Sequence, residues 1–354
     1  PKNWFKTLVV VPKFKEKWWA KTLNLKFRNV KYLNHNEVFT YNKNLKFQMF
    51  LNDLGDIDSS LKVTYKNKSC FFQTDNLMSI EEAERIGNLG KIDFAFVMPF
   101  LTGPFPGFYK MKSEILLEQA RKKNNRSLNY CFNILKKLKP KNIIPYASDQ
   151  SYLGENFHVN FIHTHDKRDL VKFLKRKNFK SKIFLMNPGD YFQSKNNKVF
   201  KKTTVYKFDK KALAKFLSDK KKDHLEYINN EKKIGSSNSL KIIKKFKEKI
   251  KKEFKNIKKF NFKTLFLIKY ANGKKYKLIL DFQTKKAKLG NLYNNSKIDL
   301  KINIDSYKIK NLLNKRYPMN FLTFSNGGHI CERPNLNLSS SEVKFWHWIN
   351  NILF

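Results

Sequence analysis

Cysteine is scarce: Cys70, Cys131 and Cys331 are the only three in 354 residues, and they lie far apart. That spacing excludes a disulfide framework, a C-x-x-C zinc site and an iron–sulfur cluster held by four thiolates, and it fits a reducing, cytoplasmic compartment. Acidic side chains are few as well, 29 Asp and Glu against 73 Lys and Arg, so the formal charge is +44. Arginine is scarcer still. Eight of the 73 basic residues are Arg, which leaves 65 Lys. Readers of bases and phosphates draw on the bidentate Arg fork, whereas here Lys, Asn, Ile and Phe are raised together, as an AT-rich coding bias would do. The charge therefore predicts weak attraction to any polyanion and a preference for anionic small-molecule substrates, before any dedicated nucleic-acid role. No window approaches the roughly 20 uninterrupted apolar residues that cross a bilayer, so no membrane span is expected. The sequence opens at Pro1 with neither Met nor a charged-then-apolar leader, so no signal peptide is expected and the chain reads as a fragment. G-x-S-x-G, P-loop and G-x-G-x-x-G motifs are absent, and no internal repeat is seen.

What is present is a chain rich enough to fold: 41% hydrophobic and 15% aromatic, long enough for two domains. Phe5–Val11, Asn29–Leu33, Glu37–Tyr41, Leu45–Leu51, Lys62–Tyr65 and Cys70–Gln73 read as strands separated by Asn, Gly, Asp and Ser, with a short helix at Lys15–Leu23. Ser79 followed by Glu81 and Glu82 starts a helix over Ser79–Gly87. Ile92–Met98 and Asn142–Tyr146 are apolar runs of the kind buried on both faces of a sheet. Between them a helix is expected at about Lys112–Leu138, ended by Pro140. Arg168–Arg176 follows as a helix, Lys182–Met186 as a strand, and Asn187–Asp190 as a turn. Strands thus alternate with helices, the pattern of a layered α/β domain. Composition shifts near Lys220. Lys241–Lys259 is a Lys-rich helix whose apolar stripe is Ile242, Ile243, Phe246, Ile250 and Phe254, read as a solvated face with one apolar side. Thr264–Tyr270, Lys275–Asp281, Lys286–Leu289 and Ile298–Ile304 then form strands, followed by helices at Tyr307–Leu313 and Val343–Leu353.

Three stretches bear on chemistry. Thr102-Gly-Pro-Phe-Pro-Gly107, with Tyr109 and Lys110, is a rigid loop at the end of a buried strand, where α/β proteins place ligands. It reads equally as a structural turn or as a pocket wall in which Tyr109 and Lys110 donate to an anionic group. His163-Thr-His165-Asp166 precedes a helix; Thr164 or Asp166 capping that helix outweighs the alternative of two His ligands on a metal. Asp75 closes the Phe71–Gln73 strand. On residues alone it is an ordinary turn-capping Asp. His329 beside Gly327 and Gly328 is a turn, and Trp346, His347 and Trp348 read as core or interface.

The order of these stretches carries a resemblance. Phe71-Phe-Gln-Thr-Asp75-Asn76, then Ile92–Tyr109, a long helix, Leu138–Ser148, a further helix, Asn187-Pro-Gly-Asp190 and finally Phe345-Trp-His-Trp348 resemble the metallo-β-lactamase-fold branch that holds CMP-N-acetylneuraminate hydroxylase and ascorbate-phosphate lactonase. The resemblance covers most of the chain and lies closest to the second part of the hydroxylase-like fold. It implies an αββα sandwich with a metal site at one edge, holding a divalent metal, zinc or iron, that activates water. In that reading Asp75 is a metal ligand. Gly103, Pro104, Phe105, Pro106 and Tyr109, with Asp149, contact substrate. A family His is expected after the Pro145 strand; Ala147 and Gly154 stand nearest, with Asp149, Glu155 and His158 as substitutes. The family's H-x-H-x-D-H loop is absent, and so are the Cys and His residues of a Rieske cluster, so oxygenation would need a separate cluster. The C-terminal part resembles a sterol-carrier-like appendage.

The sequence therefore predicts an α/β, partial metallo-β-lactamase-like αββα sandwich over 1–220, a Lys-rich helical linker over 221–262 and a small C-terminal α+β domain over 263–354. The expected function is hydrolase-like, on an anionic sugar- or nucleotide-type substrate, with an oligomer compatible. The alternative is a non-catalytic basic scaffold that binds nucleic acid or another polyanion.

Overall fold

The computed structural model describes residues 7–14, 27–54, 58–100, 106–107, 109–147, 166–187, 189–193, 198–201, 210–235, 239–270, 273–290, 298–314, 329–333 and 340–352. The helix expected at Lys15–Leu23, and Gly103, Pro104, Phe105, Asp149, Glu155, His158, His163 and His165, lie outside the described residues. The chain divides into two compact units. The first takes 1–102, 121–149 and 165–206; the second takes 103–120, 150–164 and 207–354.

The first unit opens with β1 (Val9–Pro12) and β2 (Val30–Leu33), which pair in parallel. A seven-stranded sheet follows, formed by β3 (Val38–Asn42), β4 (Leu45–Leu51), β5 (Ser59–Tyr65), β6 (Lys68–Phe72), β7 (Phe94–Val97), β8 (Asn142–Pro145) and β9 (Lys182–Ile183) in that spatial order. The pairs from β3 to β6 are antiparallel and those from β6 to β9 parallel. The switch comes where helices enter the sequence, because a parallel pair needs a crossover connection. α1 (Ile80–Asn88) starts where expected, with the Ser79 hydroxyl accepting from the Glu82 amide at 3.0 Å. α2 (Ser113–Leu138) and α3 (Lys167–Arg176) supply the other crossovers. The division between units falls within α2. Alternate strand residues Phe50, Phe71, Ala95, Val97 and Ile143 join Ala83 and Ile86 of α1, Cys131 and Ile134 of α2, and Leu170 and Leu174 of α3 in one core. At about 25 cal/mol per Å² of apolar surface, each of these large side chains contributes on the order of 1.5–3 kcal/mol. The hairpin of β10 (Tyr191–Gln193) and β11 (Lys198–Phe200) packs Phe192 against Phe94, with centroids 4.6 Å apart.

Besides the start of α2, the second unit holds α4 (Lys210–Gly235) and α5 (Ser239–Glu253). β12 (Lys263–Lys269), β13 (Lys275–Asp281), β14 (Lys286–Gly290), β15 (Leu300–Asp305) and β16 (His329–Glu332) form a five-stranded sheet in the order β14-β13-β12-β15-β16. α6 (Ser306–Leu313) and α7 (Ser340–Ile352) complete it. Phe266, Ile268, Leu278, Leu280, Ile302 and Ile304 meet Ile243, Phe246 and Ile250 of α5, Ile309 of α6 and Phe345 of α7. Phe282 sits within 6 Å of Phe254, Phe260, Phe345 and Trp348.

This division differs from the expected one. The stretch read as a linker over 221–262 supplies parts of α4 and α5, and Ile243, Phe246 and Ile250 are at most 1% exposed. The apolar stripe of α5 was legible; α4 was not, because Phe216 and Leu225 are exposed while Leu217 is buried, so its apolar positions do not share one face. The strand expected at Lys182–Met186 stops at Ile183, and that expected at Lys62–Tyr65 starts earlier, at Ser59.

Candidate functional site

β6 to β9 run in parallel, so their carboxyl ends lie along one edge, the side on which α/β sheets bind ligands. Two non-glycine residues there sit in left-handed backbone: Thr74 after β6 (φ 56°) and Ala147 after β8 (φ 46°). For a β-branched Thr that conformation costs on the order of 1–3 kcal/mol, and such strain persists only where surroundings over-determine it.

The surroundings are a buried polar network. The Ser60 hydroxyl donates to the Gln73 carbonyl at 2.9 Å, and Asn76 Nδ2 donates to Ser60 Oγ at 3.0 Å. Asn52 Nδ2 donates to Asn76 Oδ1 at 2.9 Å and to the Leu77 carbonyl at 3.0 Å. Ser60, Gln73 and Asn76 are fully buried. The Thr74 hydroxyl donates to the Ser59 carbonyl in a very short bond. From the other side the Thr74 amide donates to the Tyr146 hydroxyl at 2.8 Å. Gln73 N donates to the Phe96 carbonyl at 3.0 Å, so β6, β7 and β8 are tied together at this end.

Asp75 follows Thr74 in the turn and is exposed. Burial pushes the Tyr146 phenol up, the Thr74 amide pulls it back, and the charge of Asp75 adds to the rise. Tyr146 is thus protonated at neutral pH. Its hydroxyl accepts from Thr74, and among the described residues its own proton is committed to no acceptor. The edge therefore offers one carboxylate and one O–H donor side by side.

Of the other expected site residues, Pro106 and Gly107 are buried, and Tyr109 is placed in the second unit, 4% exposed. Its amide accepts no ligand role either: it donates to the Pro106 carbonyl at 2.9 Å. The phenol donates to the Glu342 carboxylate in a very short bond, and the Arg333 guanidinium lies 4.1 Å from its ring centroid. Arg333 Nη2 reaches Glu342 Oε1 at 2.9 Å, and Trp346 Nε1 donates to the same oxygen at 3.2 Å. Burial pushes the Tyr109 phenol well up, with Cys331 and Glu342 adding to the rise. The expectation that this phenol donates to a substrate is corrected by its place: it is inside a core, with its proton given to Glu342. Asp166 caps α3, accepting from the Arg168 amide at 2.8 Å, which is the structural reading of that loop. A surface depression of about 540 Å³ lies against Ile183, Phe184 and Leu185 at the carboxyl end of β9, and others lie elsewhere. One of about 590 Å³ opens over Leu265 and Leu267 of β12, and one of about 710 Å³ lies by Phe132 and Lys177 at the ends of α2 and α3.

A zinc or iron site takes about three or more protein donors. Among the described residues no group of three His, Cys, Asp or Glu converges. The strand-end edge brings Asp75 and a phenol, so the described donors do not fit a complete metal centre.

No family model matches this sequence, and no curated protein matches it. Solved structures give faint likenesses. A sterol carrier protein 2 like 2 from Aedes aegypti aligns at TM-score 0.25 and 14% identity, over 31% of this chain and 97% of its own. An isothiocyanate hydrolase from Delia radicum gut bacteria aligns at 0.32 and 13%, over 55% of this chain and 67% of its own. The metallo-β-lactamase fold protein YhfI from Bacillus subtilis aligns at 0.28 and 10%, over 55% and 67%. Likenesses of this size do not place the chain in a family. None of the three is a CMP-N-acetylneuraminate hydroxylase or an ascorbate-phosphate lactonase.

Sequence reasoning picked Asp75 and passed over its supports. Tyr146, Ser60, Gln73, Asn76 and Asn52 are spread over 95 positions of the chain. The available signal was polar residues, Ser60 and Gln73, inside or closing strand runs otherwise built to be buried.

Proposed function

We propose that this chain is a hydrolase-like protein of metallo-β-lactamase type, and that an anionic sugar- or nucleotide-type molecule binds over the carboxyl ends of β6 to β9. The observation that supports this reading is the pairing at that edge of exposed Asp75 with the Tyr146 phenol, on a turn held by a buried network. Asp75 accepts from ligand hydroxyls or reaches a divalent cation; Tyr146 donates to an anionic oxygen. The surplus of cations over the whole chain draws such a ligand in. A divalent metal, when bound in proteins of this type, supplies an activated water.

The test is calorimetric titration of the full chain with cytidine monophosphate and with glucose 6-phosphate, each with and without added zinc. Binding of one of them in the millimolar range or tighter is expected. Asp75→Ala and Tyr146→Phe should each weaken it about tenfold, about 1.4 kcal/mol. No binding of either probe, or binding that neither substitution changes, overturns the reading.

A further inference from the structure

α5 carries a charge pattern that the strand-end site does not use. Residues 239–259 hold ten Lys against Glu248 and Glu253. At 3.6 residues per turn, Lys241, Lys244, Lys245, Lys251 and Lys252 fall within an arc of about 120°, spread along about 17 Å of helix. All five are exposed. Glu248 lies in the same arc and pairs with Lys251 at 3.2 Å, which leaves the others as the net positive row. The row extends beyond the helix: exposed Lys255 follows, and Lys285 Nζ donates to the Lys255 carbonyl at 3.4 Å. Lys286 of β14 is exposed beside it.

The opposite side of α5 decides what such a row can meet. Ile243, Phe246, Ile250 and Phe254 are 0–2% exposed, packed into the core of the second unit. A helix that anchors at a lipid surface inserts its apolar face among the acyl chains. This one has already committed that face, so only the cationic side is offered. The arc holds no Arg and no aromatic ring, the side chains that grip base edges or stack on bases. What remains is a row of lysines, interrupted by the Glu248–Lys251 pair, suited to a chain of phosphates.

We propose that the outer face of α5 binds the phosphate backbone of a nucleic acid without reading its sequence. The stretch is denser in charge than the chain as a whole: the chain averages about one net positive charge per eight residues (+44 over 354), and this stretch carries ten Lys less two Glu, +8, in 21. The proposal is independent of the strand-end site, which lies in the other unit.

The experiment is fluorescence anisotropy of the full chain with a 20-nucleotide single-stranded RNA of mixed sequence, from 50 to 300 mM salt. A quadruple variant, Lys241→Gln, Lys244→Gln, Lys245→Gln and Lys252→Gln, removes four phosphate contacts. The slope of log affinity against log salt should become shallower by about 3, at roughly 0.7 per contact. The same four positions changed to Arg should keep the slope. A control quadruple on exposed residues of the first unit, Lys172→Gln, Lys175→Gln, Lys177→Gln and Lys180→Gln, removes equal charge and should leave it unchanged. Three results overturn the proposal. These are no RNA binding at 50 mM salt, equal slope changes in both Gln quadruples, or a loss in the α5 variant of binding to phosphatidylcholine–phosphatidylserine vesicles with RNA binding intact.

Discussion

The turn at Thr74 shows how a single residue can be held in a conformation it does not prefer. Its side chain and amide are both engaged, to Ser59 and Tyr146, and the residues around it form a buried hydrogen-bond network in which Gln73 Oε1 is left without a partner among the described residues. Asn76 is the hub, since it donates to Ser60 and accepts from Asn52. Asn76→Ala should cost about 1–3 kcal/mol, the penalty for leaving buried partners unmatched. Urea unfolding of the variant reads that loss directly; a change below about 0.5 kcal/mol, the size of an ordinary surface substitution, would show that the network is not what holds the turn. Asp75, exposed beside it, was visible in sequence as a strand-closing acid. Tyr146 was not, because it lies more than 70 positions away and only the parallel pairing of β6, β7 and β8 brings the two ends together.

At the scale of elements, the crossing of α1 and α2 depends on one small residue. A Cβ at Gly87 would lie 2.3 Å from the Lys137 carbonyl oxygen, and backbone cannot swing away as a flexible side chain can. In an open helix Gly→Ala gains up to about 1 kcal/mol. Here Gly87→Ala should instead destabilise the fold by about 1–3 kcal/mol, the usual cost of overpacking. A melting temperature at or above that of the unchanged chain would refute the close crossing. The ends of these helices were readable in advance: the Ser79 cap follows from a hydroxyl placed before two glutamates, and α2 closes ahead of Pro140. The crossing distance was not, since nothing in a helical period states which turn of one helix meets which turn of another. α4 escaped detection for a related reason. Its buried contacts are sparse and partly polar, as in the Asn311 Nδ2 donation to Glu231 at 2.5 Å, so it leaves no clean apolar stripe.

For the whole molecule, the two cores are chemically separate. Cys131 is fully buried in the first and Cys331 fully buried in the second, and the two clusters share no residue. Each thiol is thus a reporter for its own unit. Phe246→Ala removes a large side chain from the second core, at a cost of about 3–5 kcal/mol. Thiol labelling across a urea series should show Cys331 reacting at lower denaturant in that variant while the Cys131 midpoint stays in place. A matched shift of both would mean that the cores unfold as one. No helix among the described residues is long and apolar enough to cross a membrane, in keeping with the sequence.

The linear chain by itself determined most of the local elements. Periodicity, capping residues and proline set where strands and helices start and stop, because these depend on neighbours a few positions apart. It also fixed the unequal charge and the apolar stripe of α5. Only the folded arrangement decided that Tyr109 belongs to a core, that the Lys-rich stretch around α5 is part of a unit, and that Tyr146 stands beside Asp75. Those outcomes rest on contacts between residues tens to hundreds of positions apart, whose energies arise only when strand register and helix crossings bring the groups within hydrogen-bonding or van der Waals reach.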